Sequence, residues 1–146
     1  MTTRVHFTHL STPDRIDGIV QLLLRRNRLT PRVLIVCPDD YSAQQIDDRL
    51  WSVHPEAFLA HARADSPNLP AADQPILIAT TIVRDNRPSV LINAGLELPP
   101  DLNGFDHIVD FVDGWDSNLT QIARERWRTY ISLGFKPAYF GNRGEQ

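Results

Sequence analysis

The most informative segment of the chain is Arg32–Pro38, RVLIVCP, in which five apolar residues follow one another. A run of this length is typical of a strand, and the lack of alternation with polar residues indicates that both strand faces are buried. Strands of this kind occur in parallel sheets that helices cover on both sides. The segment therefore predicts an α/β fold with a largely parallel sheet.

The sequence on either side of this strand predicts an alternation of strands and helices. Apolar residues recur at helical spacing in three segments, which are Asp14–Asn27, Tyr41–Trp51 and Ser117–Leu133, the last stopped by Gly134. Four further strands are predicted at Val5–Leu10, Ile76–Thr81, Val90–Asn93 and His107–Val112. The order β-α-β-α-β-β-β-α favours a Rossmann-like three-layer sandwich, with an α+β fold and a mixed sheet as the alternative.

Length and composition favour one cytoplasmic α/β domain. The chain has 146 residues, of which 42% are hydrophobic, and we expect residues 1–146 to form a single domain with a polar tail from about 141 to 146. The single cysteine, Cys37, excludes an internal disulfide and suggests a reducing compartment. The N-terminal residues lack an apolar signal-peptide region, and the apolar runs are too short to span a bilayer.

Charge is distributed unevenly along the chain. Residues 1–116 hold 10 Arg against 16 Asp plus Glu, whereas residues 117–146 hold five basic and two acidic residues. The overall net charge of −3 argues against non-specific binding along a nucleic-acid backbone. The basic C-terminal segment is either a local site for an anionic partner or an ordinary solvated helix face.

The sequence carries no recognisable catalytic, cofactor or metal motif. None of the seven glycines forms GxGxxG or a P-loop, and the single lysine, Lys136, lies far from any such loop, which disfavours a nucleotide-dependent enzyme. The five histidines show no convergent spacing, so we interpret them as surface or capping residues. Asp110, Asp113 and Asp116 are spaced by three, but Asp116 or Ser117 fits a helix N-cap better than a metal site.

The last predicted helix has two distinct faces. One face packs on the sheet and includes Leu133 and Arg126, and we expect the Arg126 guanidinium to reach a carboxylate or water. The adjacent stripe places an exposed indole between two basic residues and consists of Thr120, Arg124, Trp127, Arg128 and Ile131. Such a surface suits single-stranded nucleic acid or a peptide that ends in a carboxylate and an aromatic residue. An ordinary surface Arg–Trp contact is the alternative.

Two blocks of sequence resemble the chi subunit of bacterial DNA polymerase III. The first is IVDFVDGWDSNLTQIARERWRTYISLGF, residues 108–135, and the second is RVLIVCPDDYSAQQIDDRLW, residues 32–51, followed by Pro55, Phe58 and His61. Their order and separation also fit, so the resemblance covers essentially the whole chain. It implies a Rossmann-like fold without nucleotide binding, and no cofactor.

The same resemblance implies two protein partners. Chi proteins bind the acidic C-terminal tail of single-stranded DNA-binding protein, which ends in Pro-Phe, and they attach to the clamp loader through a small psi subunit. By position, the tail site involves Arg124, Trp127 and Arg128, with Thr120 at its edge where a basic residue is expected. The residues that could wall it are Phe135, Pro137, Tyr139 and Phe140.

The psi-facing surface carries over to Trp51 and Phe58, although both side chains fit a core role as well. The sequence as a whole therefore predicts a non-catalytic adaptor whose contact with nucleic acid is mostly indirect. A protein that binds single-stranded DNA directly through Arg124, Trp127 and Arg128 is the alternative.

Overall fold

The computed structural model describes residues 3–26, 31–52, 60–67 and 69–140. Within these residues the three helices are α1 (Arg15–Arg26), α2 (Asp40–Ser52) and α3 (Ser117–Ser132). The strands are β1 (Arg4–Leu10), β2 (Val33–Val36), β3 (His61–Arg63), β4 (Ile76–Ala79), β5 (Val90–Asn93), β6 (His107–Asp113) and β7 (Pro137–Phe140).

The described strands form one seven-stranded sheet in the order β3-β4-β2-β5-β6-β1-β7. Every neighbouring pair is parallel, so the mixed-sheet alternative is wrong and the Rossmann-like α/β prediction is confirmed. The segment that predicted this arrangement, β2, pairs with β4 on one side and β5 on the other, with all four of its residues buried.

Alternation along the strands divides the core into two layers. In β2, Val33 and Ile35 face the layer that contains α1 and α2, whereas Leu34 and Val36 face the layer that contains α3. In β1, Phe7 faces α3 and is fully buried. Because His9 lies two residues after Phe7, it emerges on the same side of the sheet as α3.

Two strands at the edges of the sheet and the exposure of Leu133 differ from the sequence prediction. The strands β3 and β7 lie at the two edges of the sheet, where β3 has three residues and β7 has four. Leu133, predicted to face the sheet, is 57% exposed because α3 ends at Ser132.

Asp116 caps α3 by accepting from the Leu119 amide, as predicted, and Asp14 does the same for the Asp17 amide. Within the described ranges no helix is both long and apolar enough to cross a membrane.

A buried polar cluster joins α3 to the sheet beneath it. The Asp110 carboxylate, fully buried on β6, accepts from Arg126 Nε at 3.2 Å and from Tyr130 Oη at 2.9 Å. Arg126 also donates to the carbonyls of Leu96 and Phe111, so the guanidinium is satisfied without water. Burial raises the pKa of the Tyr130 hydroxyl, with Asp110 as a second cause. The expectation that Arg126 reaches a carboxylate is confirmed.

Two histidines on the opposite sheet face make stability depend on pH. His6 Nδ1 and His107 Nε2 lie 2.6 Å apart, a distance that leaves room for one proton between them. Burial, followed by the charges of His6, Arg4 and Arg26, lowers the pKa of His107 to about 4, and burial and Arg4 lower the pKa of His6. In the unfolded chain both rings titrate at about 6.5.

The direction of the change in stability follows from proton binding. Below about pH 6.5 the unfolded chain binds protons at these two histidines that the folded chain does not bind. Stability contributed by this pair is therefore present above pH 6.5 and is lost as pH falls toward 4. We expect the urea midpoint to decrease between pH 7.5 and 5.5, and to decrease less in His107→Gln. If the urea midpoint of His107→Gln decreases over this pH range as much as that of the wild type, other groups cause the pH dependence.

Candidate functional site

A cleft of about 410 Å³ opens where α3 crosses β1 and β7. Its lining combines an apolar floor with a polar rim, and consists of Phe7, His9, Val112, Gly114, Thr120, Ala123, Arg124, Trp127 and Tyr139. Three of the four residues predicted for the tail site, Thr120, Arg124 and Trp127, thus meet at one cleft. The cleft has the two properties that the stripe on α3 suggested, which are an apolar surface and an adjacent positive charge.

Trp127 forms the floor of the cleft and is not the freely exposed indole that the helical wheel predicted. Its ring packs on Phe7 with 5.2 Å between the centroids, and it contacts the core layer on the α3 side. Ala123, one turn earlier on α3, is buried and also lines the cleft. The indole is thereby fixed in place and presents only part of its surface to the cleft.

The two arginines of the stripe occupy different positions. Arg124 lines the cleft, whereas Arg128 is exposed on the next turn and does not line it. Among the described residues neither arginine forms a salt bridge, and the cation–π contacts belong to Arg15 and Arg84 and not to this pair. Both guanidinium groups therefore remain available to an anionic partner, with Arg124 nearer to the apolar floor.

Thr120 lines the cleft, but its hydroxyl is already engaged. Its Oγ1 lies 2.8 Å from the Asp116 carbonyl and 3.0 Å from the Asp113 carbonyl, both of which accept from it. A threonine hydroxyl has one proton, so none is left to donate to a ligand. Thr120 closes the first turn of α3 and supplies no positive charge.

The segment after α3 contributes one of the four wall residues expected from the sequence. Tyr139 lines the cleft, and its hydroxyl pairs with His9 Nδ1 at 2.8 Å. Phe135 instead packs on Tyr130 within the core, and Pro137 does not line the cleft. The side chain of Phe140 lies outside the described part of the structure. His9 also lines the cleft and was not predicted from the sequence.

Comparison with known proteins identifies the family. The family model described as DNA polymerase III chi subunit, HolC, matches residues 1–138. The DNA polymerase III subunit chi of Escherichia coli K12 is 32% identical over 130 residues, which cover 86% of each chain. The subunit of Pseudomonas aeruginosa PAO1 is 28% identical over 136 residues, which cover 91% of this chain and 92% of that one. This chain belongs to the DNA polymerase III chi subunit family.

Solved structures that resemble this chi-family chain support the fold alone. The C-terminal domain of the DEAD-box protein Dbp5 superimposes with a TM-score of 0.62 and 13% identity, covering 96% of this chain and 90% of that one. The S. cerevisiae Dbp5 C-terminal domain gives a TM-score of 0.60 at the same identity. These neighbours share the α/β arrangement at an identity too low to carry function across.

Trp51, which the sequence predicted for a second surface, lies at the other edge of the sheet. Trp51, at the end of α2, is 50% exposed and its ring lies 4.4 Å from that of His61. His61 is itself buried, contrary to the surface role expected for the histidines, and its Nε2 faces Asp47 at 3.3 Å. Burial raises the pKa of the Asp47 carboxyl. Phe58 lies outside the described residues.

A second, larger cavity lies at the carboxyl ends of the central strands, where Rossmann-like folds bind nucleotides. It measures about 810 Å³. Its arginine, Arg15, donates to the carbonyls of Ala94 and Gly95 and to the Asp113 carboxylate. Burial raises the pKa of the Cys37 thiol, which lines this cavity, to about 12. Within the described ranges no group of three or more potential metal ligands is present.

Proposed function

We propose that this chain is an adaptor of DNA polymerase III that binds the acidic C-terminal tail of single-stranded DNA-binding protein in the cleft beneath α3. The relatives it matches are chi subunits of the polymerase, so the assembly to which it belongs is the replicase. Binding the tail would hold the replicase near DNA coated with that protein and raise the local concentration of one relative to the other. This role places the chain in the cytoplasm with the chromosome.

One observation carries the proposal, which is that Arg124 borders an apolar cleft with Trp127 as its floor. A peptide ending in phenylalanine offers a ring and a carboxylate on adjacent atoms. The ring would lie against Trp127 while the guanidinium binds the carboxylate in a charge-assisted hydrogen bond. Arg128, one turn away, would attract the acidic residues that precede the terminus.

The half-buried position of Trp127 favours the tail over single-stranded DNA. Stacking of successive bases needs an open aromatic face, whereas the Trp127 indole is only partly exposed and packs on Phe7. The net charge of −3 also opposes binding along a phosphate backbone. With Thr120 uncharged and internally bonded, the positive charge of the site comes from Arg124 and Arg128. Both arginines are exposed, so salt should screen their attraction to the tail and weaken binding.

We further propose that the surface around Trp51 holds a psi-like subunit, which links the chain to the clamp loader. A half-exposed tryptophan beside the exposed Leu69 forms the kind of apolar anchor found in protein interfaces. This surface and the tail cleft lie at opposite edges of the sheet, because β3 and β7 are its two ends. Both partners could therefore be bound together.

Truncation of the cleft is expected to weaken tail binding. With a fluorescent acidic peptide ending in Asp-Ile-Pro-Phe, Arg124→Ala should raise the Kd about tenfold through loss of one charge-assisted contact. Trp127→Ala should weaken binding further through loss of the floor. Fluorescence anisotropy at low salt measures both effects.

Matched controls separate the site from general charge and folding. Arg25→Ala removes an exposed arginine from α1, which lies on the other sheet face, and should leave the Kd unchanged. A peptide without the final Phe should bind poorly, and an oligonucleotide should not compete. If the folded protein fails to bind the peptide, or binds it equally well without Arg124, the tail assignment is wrong. Binding of the oligonucleotide instead would favour direct contact with single-stranded DNA.

A further inference from the structure

The rim of the tail cleft carries a polar pair contributed by the first and last strands. His9 on β1 and Tyr139 on β7 face each other across adjacent strands, and their Nδ1 and Oη atoms are 2.8 Å apart. Phe7 pairs in register with Tyr139, so the pair lies beside the apolar floor and on the same sheet face. Tyr139 is 50% exposed, and its ring is not needed to fill the core.

The imidazole ring is seated on Gly114. A Cβ atom at this glycine would lie 2.1 Å from His9 Cε1 and 2.6 Å from Nε2, which no real side chain tolerates. A side chain at residue 114 would therefore displace the imidazole from its position beside β6. The contact with Gly114 on one side and the Tyr139 hydroxyl on the other hold the imidazole in one orientation at the cleft.

A count of protons shows what this pair offers to a ligand. When the tyrosine hydroxyl donates to Nδ1, the remaining donor is Nε2–H, and when Nδ1–H donates to the tyrosine oxygen, the remaining donor is the hydroxyl. In both neutral tautomers one donor is left over. Thr120 leaves none, since its proton serves its own helix. Among the described lining residues, the side-chain donors are thus Arg124, the Trp127 indole N–H in the floor and this pair on the rim.

We propose that the His9–Tyr139 pair is a specificity-determining element that binds the free carboxylate of a C-terminal aromatic residue, across the apolar floor from Arg124. The inference rests on the proposed function and defines its ligand class as peptides that end in an unmodified carboxyl group. A carboxylate accepts from both the guanidinium and the pair, whereas a carboxamide is uncharged and has one oxygen fewer. The pair takes the place of the basic residue that Thr120 does not supply.

The test is a two-by-two comparison of protein and peptide. The tail peptide with a free carboxylate and the same peptide with a carboxamide are titrated against the full chain and against Tyr139→Phe. Tyr139→Phe keeps the ring but removes the hydroxyl, which either donates to the carboxylate itself or fixes the His9 tautomer whose Nε2–H donates. The variant should therefore reduce the preference for the free acid about fivefold and leave the amide Kd unchanged. Gly114→Ala displaces the imidazole and should reduce the same preference, while Tyr41→Phe, a matched exposed tyrosine on α2, should not.

The outcomes separate the two proposals. Suppose that the acid peptide binds and that Arg124→Ala weakens its binding. If Tyr139→Phe then changes the Kd of the acid and amide peptides equally, or changes neither, the pair has no role in specificity. Only the present inference would then be wrong. If the folded wild-type chain binds neither peptide, then the tail assignment falls and the inference falls with it. Circular dichroism of each variant establishes that it is folded.

Discussion

Replacing Asp110 with alanine is expected to cost about 3–5 kcal/mol of the free energy of unfolding, because it leaves a buried guanidinium without its counter-charge. Asp110 is fully buried and Arg126 is 4% exposed, so water cannot replace the lost carboxylate. The substitution also removes the acceptor of the Tyr130 hydroxyl and of the Asn93 amide. Natural domains are stable by about 5–15 kcal/mol, so this single change should bring the chain close to unfolding.

The measurement is the urea unfolding curve followed by circular dichroism. The double variant Asp110→Ala with Arg126→Met removes both charges and should recover a large part of the loss, since the pair is costly mainly when it is broken on one side. Asp106→Ala removes an exposed carboxylate just before β6 and should change stability by less than about 0.5 kcal/mol. A loss of under about 1 kcal/mol in Asp110→Ala would mean that Arg126 finds another partner or reaches water.

The central strands of the sheet could be predicted from the sequence, whereas the strands at its two edges could not. Strands buried on both faces appear as continuous apolar runs, and β2, β4 and β5 were therefore visible from composition alone. The edge strands β3, with sequence HAR, and β7, with sequence PAYF, are short and contain polar residues or proline. Their extended structure depends on pairing with β4 and β1, which are distant in sequence.

The candidate site was predicted to a similar extent. Helical periodicity placed Thr120, Arg124 and Trp127 on one stripe, because the angle between residues on a helix is fixed. It could not show how deep the stripe lies, and so it gave Trp127 too much exposure. Nor could it show that Arg124 lines the cleft whereas Arg128 does not. His9 became visible only when β1 was placed beside β7 and beneath α3.

The depth of Trp127 in the cleft is set by the sheet residue on which it packs, and this residue is Phe7. Its ring, fully buried, touches Trp127 at 5.2 Å and Tyr130 at 5.6 Å between centroids. Phe7→Ala should destabilise the chain by about 3–5 kcal/mol through the cavity that it leaves. It should also weaken tail binding, because the indole can sink into the cavity and the floor is lost.

A matched phenylalanine separates these two effects. Phe105 is 1% exposed and belongs to the same core layer as Phe7, yet it does not line the cleft. Phe105→Ala should therefore lose a similar amount of stability while keeping the wild-type Kd for the tail peptide, measured in the cold without denaturant, where both variants are folded. Phe7→Leu should retain part of both stability and affinity, since it fills part of the cavity. If Phe7→Ala and Phe105→Ala bind the peptide equally well, Trp127 does not need its buried support, and the peptide must be held by the charged rim rather than by the floor.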